Sequence, residues 1–464
     1  MFGGVILQYL QEINAFLWGI PLLLLIIGLG IYLTIRTRCV QLRLLPRAIR
    51  RFFSLDKDTS DRHKASQRQA LFTALAATVG TGNLAGVAGA ISIGGPGSVF
   101  WMWVCGVIGM VTKYAEATLA VRFQHVNEQG ETVGGTMYMI QNGMPKFTHW
   151  LAYVYCFFGV VAAFGVGNAT QINAAIGSIN SALQTFGIEN SVWLNLLLGT
   201  IFAGLIFSSF WSGAGKVGKI AERLVPFASV IYLILGILVL LINHVNIPVA
   251  FTCIIQGAFH PRAVTGGMVG SMFAALRVGA SRGVFTNEAG MGTAAIAHGS
   301  AMVEYPAQQG LMGIVEVFID TIVICTMTAL VILCSGVQIP YCSDPGISLT
   351  SAAFSGVLGR WVSTVLAVMV CCFAIATVIG WGLYGGRCAQ FLFGNGCWRK
   401  FVIIQTITVI VSAVLETGTV WVLAEIVNGL MAVPNLITLL WLSPELIRLT
   451  KSYCTKGKKS RHLL

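Results

Sequence analysis

The sequence predicts an all-α integral membrane protein of about eleven transmembrane helices: one N-terminal helix, then two five-helix repeats of opposite orientation. Three observations predict it: the composition, the spacing of apolar runs, and where the positive charges fall. Apolar residues make up 56% of the 464, and 53 glycines raise this to roughly two thirds, against about 45–50% in an ordinary soluble domain. Charged residues are only 10%, against about 25% usually, too few to cover a globular surface in water. The same numbers exclude disorder, collagen and a disulfide-rich scaffold.

Runs long enough to span lie near 15–35, 69–92, 97–121, 149–180, 192–210, 222–242, 266–299, 309–335, 361–392, 401–417 and 420–442. A spanning helix needs about 20 mostly apolar residues. The first run, followed by positive charge and with no small-residue cleavage site, reads as a retained helix rather than a signal peptide. The net charge of +12 is concentrated in two clusters. One holds Arg36, Arg38, Arg43, Arg47, Arg50, Arg51, Lys57, Arg62, Lys64 and Arg68; the other holds Arg448, Lys451, Lys456, Lys458, Lys459 and Arg461. Charge that flanks apolar runs in this way marks cytoplasmic loops and lipid headgroups, not a nucleic-acid surface. Eleven spans put both clusters on one side: N-terminus outside, C-terminus cytoplasmic, in a cell (inner) membrane.

The expected division is therefore an extra helix (1–36), a cytoplasmic basic loop (37–67) with room for an amphipathic helix, a first repeat (68–243), a second repeat (262–443) and a basic tail (444–464). Span two carries Thr78-Val79-Gly80-Thr81-Gly82-Asn83, and span seven carries Gly283-Val284-Phe285-Thr286-Asn287-Glu288-Ala289-Gly290-Met291-Gly292. Glycine costs about 1 kcal/mol inside a helix and permits unwinding. The breaks are expected at 80–83 and 283–292, each opening a set of five helices. Five is odd, so the second set runs inverted. Matched broken helices point to a transporter's binding site. Freed N–H groups there attract a carboxylate, and freed carbonyls and hydroxyls suit a small cation. Alternatively the glycines only let helices approach closely.

Other polar residues lie within spans. Gln171, with Asn168 and Asn173, reads either as a substrate contact from the side or as an interhelical hydrogen bond. Thr377 and Trp381, four apart on one face, offer a cation ligand and a pocket wall, or ordinary packing. Lys113 and Glu116, three apart, are expected to pair. Glu288, Glu316 and Asp320, with Arg277 and Arg282 nearby, read as helix-bracing ion pairs, or else as proton-coupled carboxylates. His149 and His298 at span ends read as structural. Cys334 and Cys342 are placed to meet near the outer face; the twelve cysteines show no metal-like spacing.

Taken together, Ala76-Ala77-Thr78-Val79-Gly80-Thr81-Gly82-Asn83, Gly94-Gly95-Pro96-Gly97 before Phe100-Trp101-Met102-Trp103, Lys113-Tyr114-Ala115-Glu116, Gly134-Gly135-Thr136-Met137-Tyr138, Ser281-Arg282-Gly283 to Gly292, Ile379-Gly380-Trp381 and Asn428-Gly429-Leu430-Met431 resemble the alanine or glycine:cation symporters, also called sodium:alanine symporters. The resemblance runs nearly the whole chain. It implies a leucine-transporter-like fold that imports small neutral amino acids, alanine or glycine, with sodium as coupling ion and no cofactor. It implies that Thr81, Gly82, Asn83, Phe285, Thr286 and Asn287 contact the substrate or adjoining ion, and that Gln171, Met291 and Trp381 close the pocket. It implies a sodium site from carbonyls of Ala76, Val79 and Phe373 with the Thr377 hydroxyl. Ala376 departs from the pattern, where the resemblance leads to Ser, so one hydroxyl is absent. Proton-coupled or uncoupled carriage on the same fold is the alternative. A convergent nucleophile, base or metal set is missing, so an enzyme is not expected.

Overall fold

The computed structural model describes residues 2–55, 62–128, 130–211, 214–267, 271–415 and 417–459. Lys57 and Arg461, counted in the basic clusters, lie outside the described residues. α1 (Phe2–Leu17) and α2 (Ile20–Arg36) form the N-terminal helix, interrupted at Trp18–Gly19. Pro21 sits in the first turn of α2, where its missing N–H has no intrahelical partner to lose.

The basic loop contains α3 (Val40–Ser54), an amphipathic helix as expected. Val40, Gln41, Leu44 and Ala48 are buried, while Arg43 and Arg50 are exposed. Next come α4 (Arg62–Thr78), a wide π-helical turn (Gly82–Gly86) and α5 (Val87–Gly94). The two halves of this span meet at 49°. α6 (Gly97–Arg122) leads to a two-residue hairpin, β1 (His125–Val126) and β2 (Thr132–Val133), paired antiparallel with His125 opposite Val133. α7 (Thr136–Gly143) is short. α8 (Trp150–Phe164) passes through a second wide turn (Gly165–Ala169) into α9 (Thr170–Gln184). α10 (Val192–Trp211) and α11 (Ala214–Ile242) complete the first half.

α12 (Ile247–Phe259) and α13 (Pro261–Val264) connect to α14 (Met272–Asn287) and α15 (Thr293–His298), the two pieces of the second broken span. α16 (Pro306–Val317) runs through a third wide turn (Phe318–Cys325) into α17 (Thr326–Cys334). α18 (Ser348–Leu358), α19 (Trp361–Phe393), α20 (Trp398–Ser412), α21 (Thr417–Trp441) and α22 (Ser443–Lys459) finish the chain.

Eight helices among the described residues are long and apolar enough to cross a membrane, nine with the bent α4–α5 pair. They coincide with nine of the predicted spans. The other two are helical but shorter: 266–299 is divided into α14 and α15, and 401–417 is the 15-residue α20. Residues that stay exposed on α10, such as Trp193, Leu197, Ile201 and Leu205, are apolar and four apart. In water such a stripe would be a liability; in lipid it is the solvated face. Helices at corresponding places in the two halves lie together, α6 on α16 and α8 on α19. The tail is not an extended strand of charge: α22 docks through Tyr114 Oη and Thr450 Oγ1, 3.0 Å apart, and Arg122–Glu445 at 2.9 Å. Cys334 and Cys342, expected to meet, are not joined by a disulfide; the first is buried and the second exposed.

Candidate site at the two helix breaks

The first break is held open by its own side chains. Gly80 N donates to Asn83 Oδ1 at 2.9 Å, so the amide replaces a lost helical acceptor. Thr81 gives both its N–H, at 3.3 Å, and its hydroxyl, at 2.8 Å, to Gln171 Oε1. The second break falls at 288–292, later than the expected 283–292. Gly283 is still helical, and a Cβ there would meet Met102 of α6 at 3.4 Å, so this glycine serves close packing. Left-handed backbone begins at Glu288 (φ 54°) and recurs at Gly290 (φ 95°) and Gly292 (φ 78°). At Gly292 a side chain is also barred by space, since a Cβ would lie 2.3 Å from Thr136 Oγ1.

The two breaks touch. A Cβ on Gly82 would lie 3.4 Å from Thr286 Cγ2 and 3.8 Å from the Phe285 ring. The predicted Thr81, Gly82, Asn83, Phe285, Thr286 and Asn287 are thus together, all buried. A polar chain joins them through the wide turn after α16. Asn83 Nδ2 donates to Asp320 Oδ1 at 2.6 Å, Thr321 Oγ1 to Asp320 Oδ2 at 2.9 Å, and Asn287 Nδ2 to Thr321 Oγ1 at 3.2 Å.

The expected ion pairs form only in part. Glu316 alone is braced: Lys113 Nζ at 2.8 Å, Thr78 Oγ1 at 2.7 Å and His298 Nε2 at 2.9 Å surround it, all buried. Gln309 Nε2 stands 2.6 Å from the other His298 nitrogen. The expected Lys113–Glu116 pair does not form. Their shared face looks onto the second broken span, and Glu116 Oε1 accepts Gly290 N and Gly292 N, each at 3.0 Å, and Asn435 Nδ2 at 2.8 Å. Backbone N–H groups freed by the break make the better partner. Glu288 and Asp320 have no cationic partner among the described residues. Glu288 instead accepts Trp381 Nε1 at 2.7 Å and Thr293 Oγ1 at 2.6 Å. Arg282 turns away from Glu288 to Asp344 and Glu425. His149 Nε2 stays local, 3.3 Å from Met144 O.

Of the pocket-closing candidates, Gln171 reaches the first break, Met291 is fully buried within the second, and Trp381 touches the second through Glu288. Asn168 and Asn173 point elsewhere, to the carbonyls of Gln405 and Leu415. For the cation set, Ala76, Val79, Phe373 and Ala376 are buried where α19 lies flush on the end of α4. A Cβ on Gly380 would lie 2.8 Å from Ala77 N, and one on Gly80 would lie 2.5 Å from Thr377 Oγ1. The Thr377 hydroxyl is buried and accepts or donates no hydrogen bond among the described residues. Other buried hydroxyls, Ser92 and Ser178 among them, share this lack; what fits Thr377 to a cation is its place beside the unwound backbone at Gly80.

Sequence reasoning missed several contributors. Thr350 Oγ1 donates to the Leu84 carbonyl in the first wide turn at 3.1 Å. Asn435 bridges Glu116, Gly290 O and Thr136. Their only sequence signal is a polar residue in an apolar run. On the side of the breaks away from α3 and α22, a cavity of about 580 Å³ reaches Ala85 of the first break and is bordered by Asn173, Ser181, Arg282, Asp344 and Glu425.

Residues 4–463 match the family model described as the sodium:alanine symporter family. The chain is 39% identical over 449 residues to the sodium/alanine symporter AgcS of Methanococcus maripaludis, covering 96% of each chain. It is 40% identical over 456 residues to an uncharacterized transporter of Haemophilus influenzae, covering 97% of this chain and 96% of the other. Among solved structures it is similar to a crystal structure of MhsT in complex with L-phenylalanine (TM-score 0.56, 12% identity, 82% of this chain and 97% of that one), a likeness of fold.

Proposed function

The chain belongs to the sodium:alanine symporter family, multi-pass membrane transporters rather than enzymes, and from that premise we propose that it imports alanine or glycine together with sodium by alternating access. The observation that carries this reading is the contact of the two breaks, Gly82 against Thr286. Substrate carboxylate and ammonium meet the freed groups of Thr81, Gly82, Asn83, Phe285, Thr286 and Asn287. Gln171, Met291 and Trp381 close the pocket around a small side chain. The relative AgcS is named for sodium and alanine, which supports the substrate chosen here. Sodium is held by the Ala76, Val79 and Phe373 carbonyls and by Thr377, whose place beside the unwound backbone at Gly80 supports the assignment.

In the same reading the basic face carrying α3 and α22 is cytoplasmic, by the preference for positive charge inside, and the N-terminus lies outside. Residues 68–243 and 262–443 form the two inverted repeats behind the extra helix. A second reading, proton coupling, is favoured by one observation: Glu288 and Asp320 are buried with no cationic partner among the described residues. Uptake of labelled alanine into proteoliposomes tests both. Accumulation above equilibrium with a sodium gradient alone is expected. Accumulation with a proton gradient alone overturns sodium coupling, and equilibration without accumulation overturns coupling altogether.

A further inference from the structure

Arg282 lies in α14, six residues before Glu288, where the second break begins. Its guanidinium reaches Asp344 Oδ2 at 3.0 Å and Glu425 Oε1 at 3.3 Å. These contacts hold the outer half of the broken helix to α21 and to the segment before α18, at the wall of the 580 Å³ cavity. Glu425 is itself held by the N-terminal helix. Asn14 Nδ2 donates to Glu425 Oε2 at 2.6 Å, and Trp18 Nε1 donates to the Glu425 carbonyl at 2.9 Å. Asn14 and Trp18 are four apart and so share one helix face. One turn along α21, Gly429 makes room for them: a Cβ there would meet Leu22 at 3.3 Å and the Trp18 indole nitrogen at 3.5 Å.

We propose that the extra N-terminal helix is a working part of the gate over the substrate path: Asn14 and Trp18 are positioning residues that hold Glu425 ready to receive Arg282. The side-chain carboxylate divides its two oxygens between a fixed neutral donor and a cation that must let go. A carboxylate left with no partner at such a place is costly. Asn14 keeps one oxygen satisfied when Arg282 withdraws, so the gate opens without stranding a charge and closes onto a carboxylate already in the right rotamer. The inference rests on the transport reading but not on which amino acid is carried.

The test needs no substrate. Ser181 borders the large cavity, and Ser181→Cys in proteoliposomes reports how open it is to a thiol reagent. Asn14→Leu keeps the size of the side chain and removes the donor; Trp18→Phe removes the indole N–H together with part of the ring that packs on Gly429. Asn14→Leu is expected to speed labelling of that cysteine about tenfold, the factor for a hydrogen bond to a charged group, and Trp18→Phe about fivefold, the factor for a bond to a neutral carbonyl. Labelling of the native, exposed Cys39 next to the basic α3 should not change. In an Arg282→Gln background neither variant should add anything. Unchanged labelling, equal acceleration at Cys39, or full additivity with Arg282→Gln would each overturn the proposal.

Discussion

Asn83 in the first break and Asp320 in the wide turn after α16 stand 2.6 Å apart, amide nitrogen to carboxylate oxygen. The bond ties the broken helix of one half to a helix of the other, and through Thr321 it continues to Asn287 beside the second break. A hydrogen bond to a charged group contributes about 1.5–3 kcal/mol, or roughly tenfold or more in an equilibrium constant. Asp320→Asn preserves shape and removes the charge. Alanine uptake should fall at least about tenfold, while size-exclusion chromatography shows a monodisperse protein. Normal uptake in that variant would remove the bridge from the transport cycle.

The Glu316 cluster should behave as structure rather than as site. Glu316→Gln leaves Lys113 buried with no countercharge, a loss of about 3–5 kcal/mol for such pairs. The expected result is a large drop in detergent thermal stability. The double variant Lys113→Met with Glu316→Leu removes both charges and should recover most of it. Equal losses in the single and double variants would show that the charge pair is not the cause.

Thr377 and Gly80 make a graded pair of variants. Thr377→Ala removes the hydroxyl proposed to hold sodium and should raise the sodium concentration for half-maximal uptake about tenfold, with little change in the alanine KM. Gly80→Ala puts a methyl 2.5 Å from Thr377 Oγ1 and 3.1 Å from Gln171 Oε1, and should abolish sodium dependence together with uptake. Unaltered sodium dependence in Thr377→Ala would move the cation elsewhere.

At the tail, Arg448 and Arg122 hold the Glu445 carboxyl down to about 2. Arg448 lies three residues on in the same helix, so only the part of this lowering due to Arg122 is tied to docking; that part stabilises the docked tail above the unfolded pKa of about 4.3 and is lost as the pH falls toward 2. Docking should therefore be flat from pH 8 to 5. The pair is largely exposed and worth only about 0.2–1 kcal/mol. Glu445→Gln should speed tryptic cleavage at Lys451 by no more than about fivefold. A change in cleavage of wild-type protein between pH 8 and 6 would contradict the assignment.

The breaks were legible because glycine and amides are conspicuous inside apolar runs. Thr81–Asn83 and Thr286–Asn287 meet as their shared pattern implies. The second break was read five residues early because Gly283 looks like a breaker, yet it faces the backbone of Met102. Local spacing paired Lys113 with Glu116; the fold pairs Lys113 with Glu316, 203 positions away. Spacing along a helix says which residues share a face, not what that face meets. The span 266–299 divides into two short helices, as its glycines imply, while 401–417 is a 15-residue helix, shorter than its apolar run. Thr350 and Asn435 leave no pattern at all, because their partners at the breaks, the Leu84 and Gly290 carbonyls and the Glu116 carboxylate, lie far away in the chain.

The three wide turns, Gly82–Gly86, Gly165–Ala169 and Phe318–Cys325, sit at the breaks or beside them. Each holds one residue more than an ordinary helical turn. A ruck in a carpet can be pushed along without lifting the whole, and a surplus residue can migrate along a helix in the same way. Each residue that the surplus passes shifts by about 1.5 Å and turns by about 100°, with the ladder of backbone bonds re-forming behind it and the helix beyond staying in place. These helices thus carry their own slack.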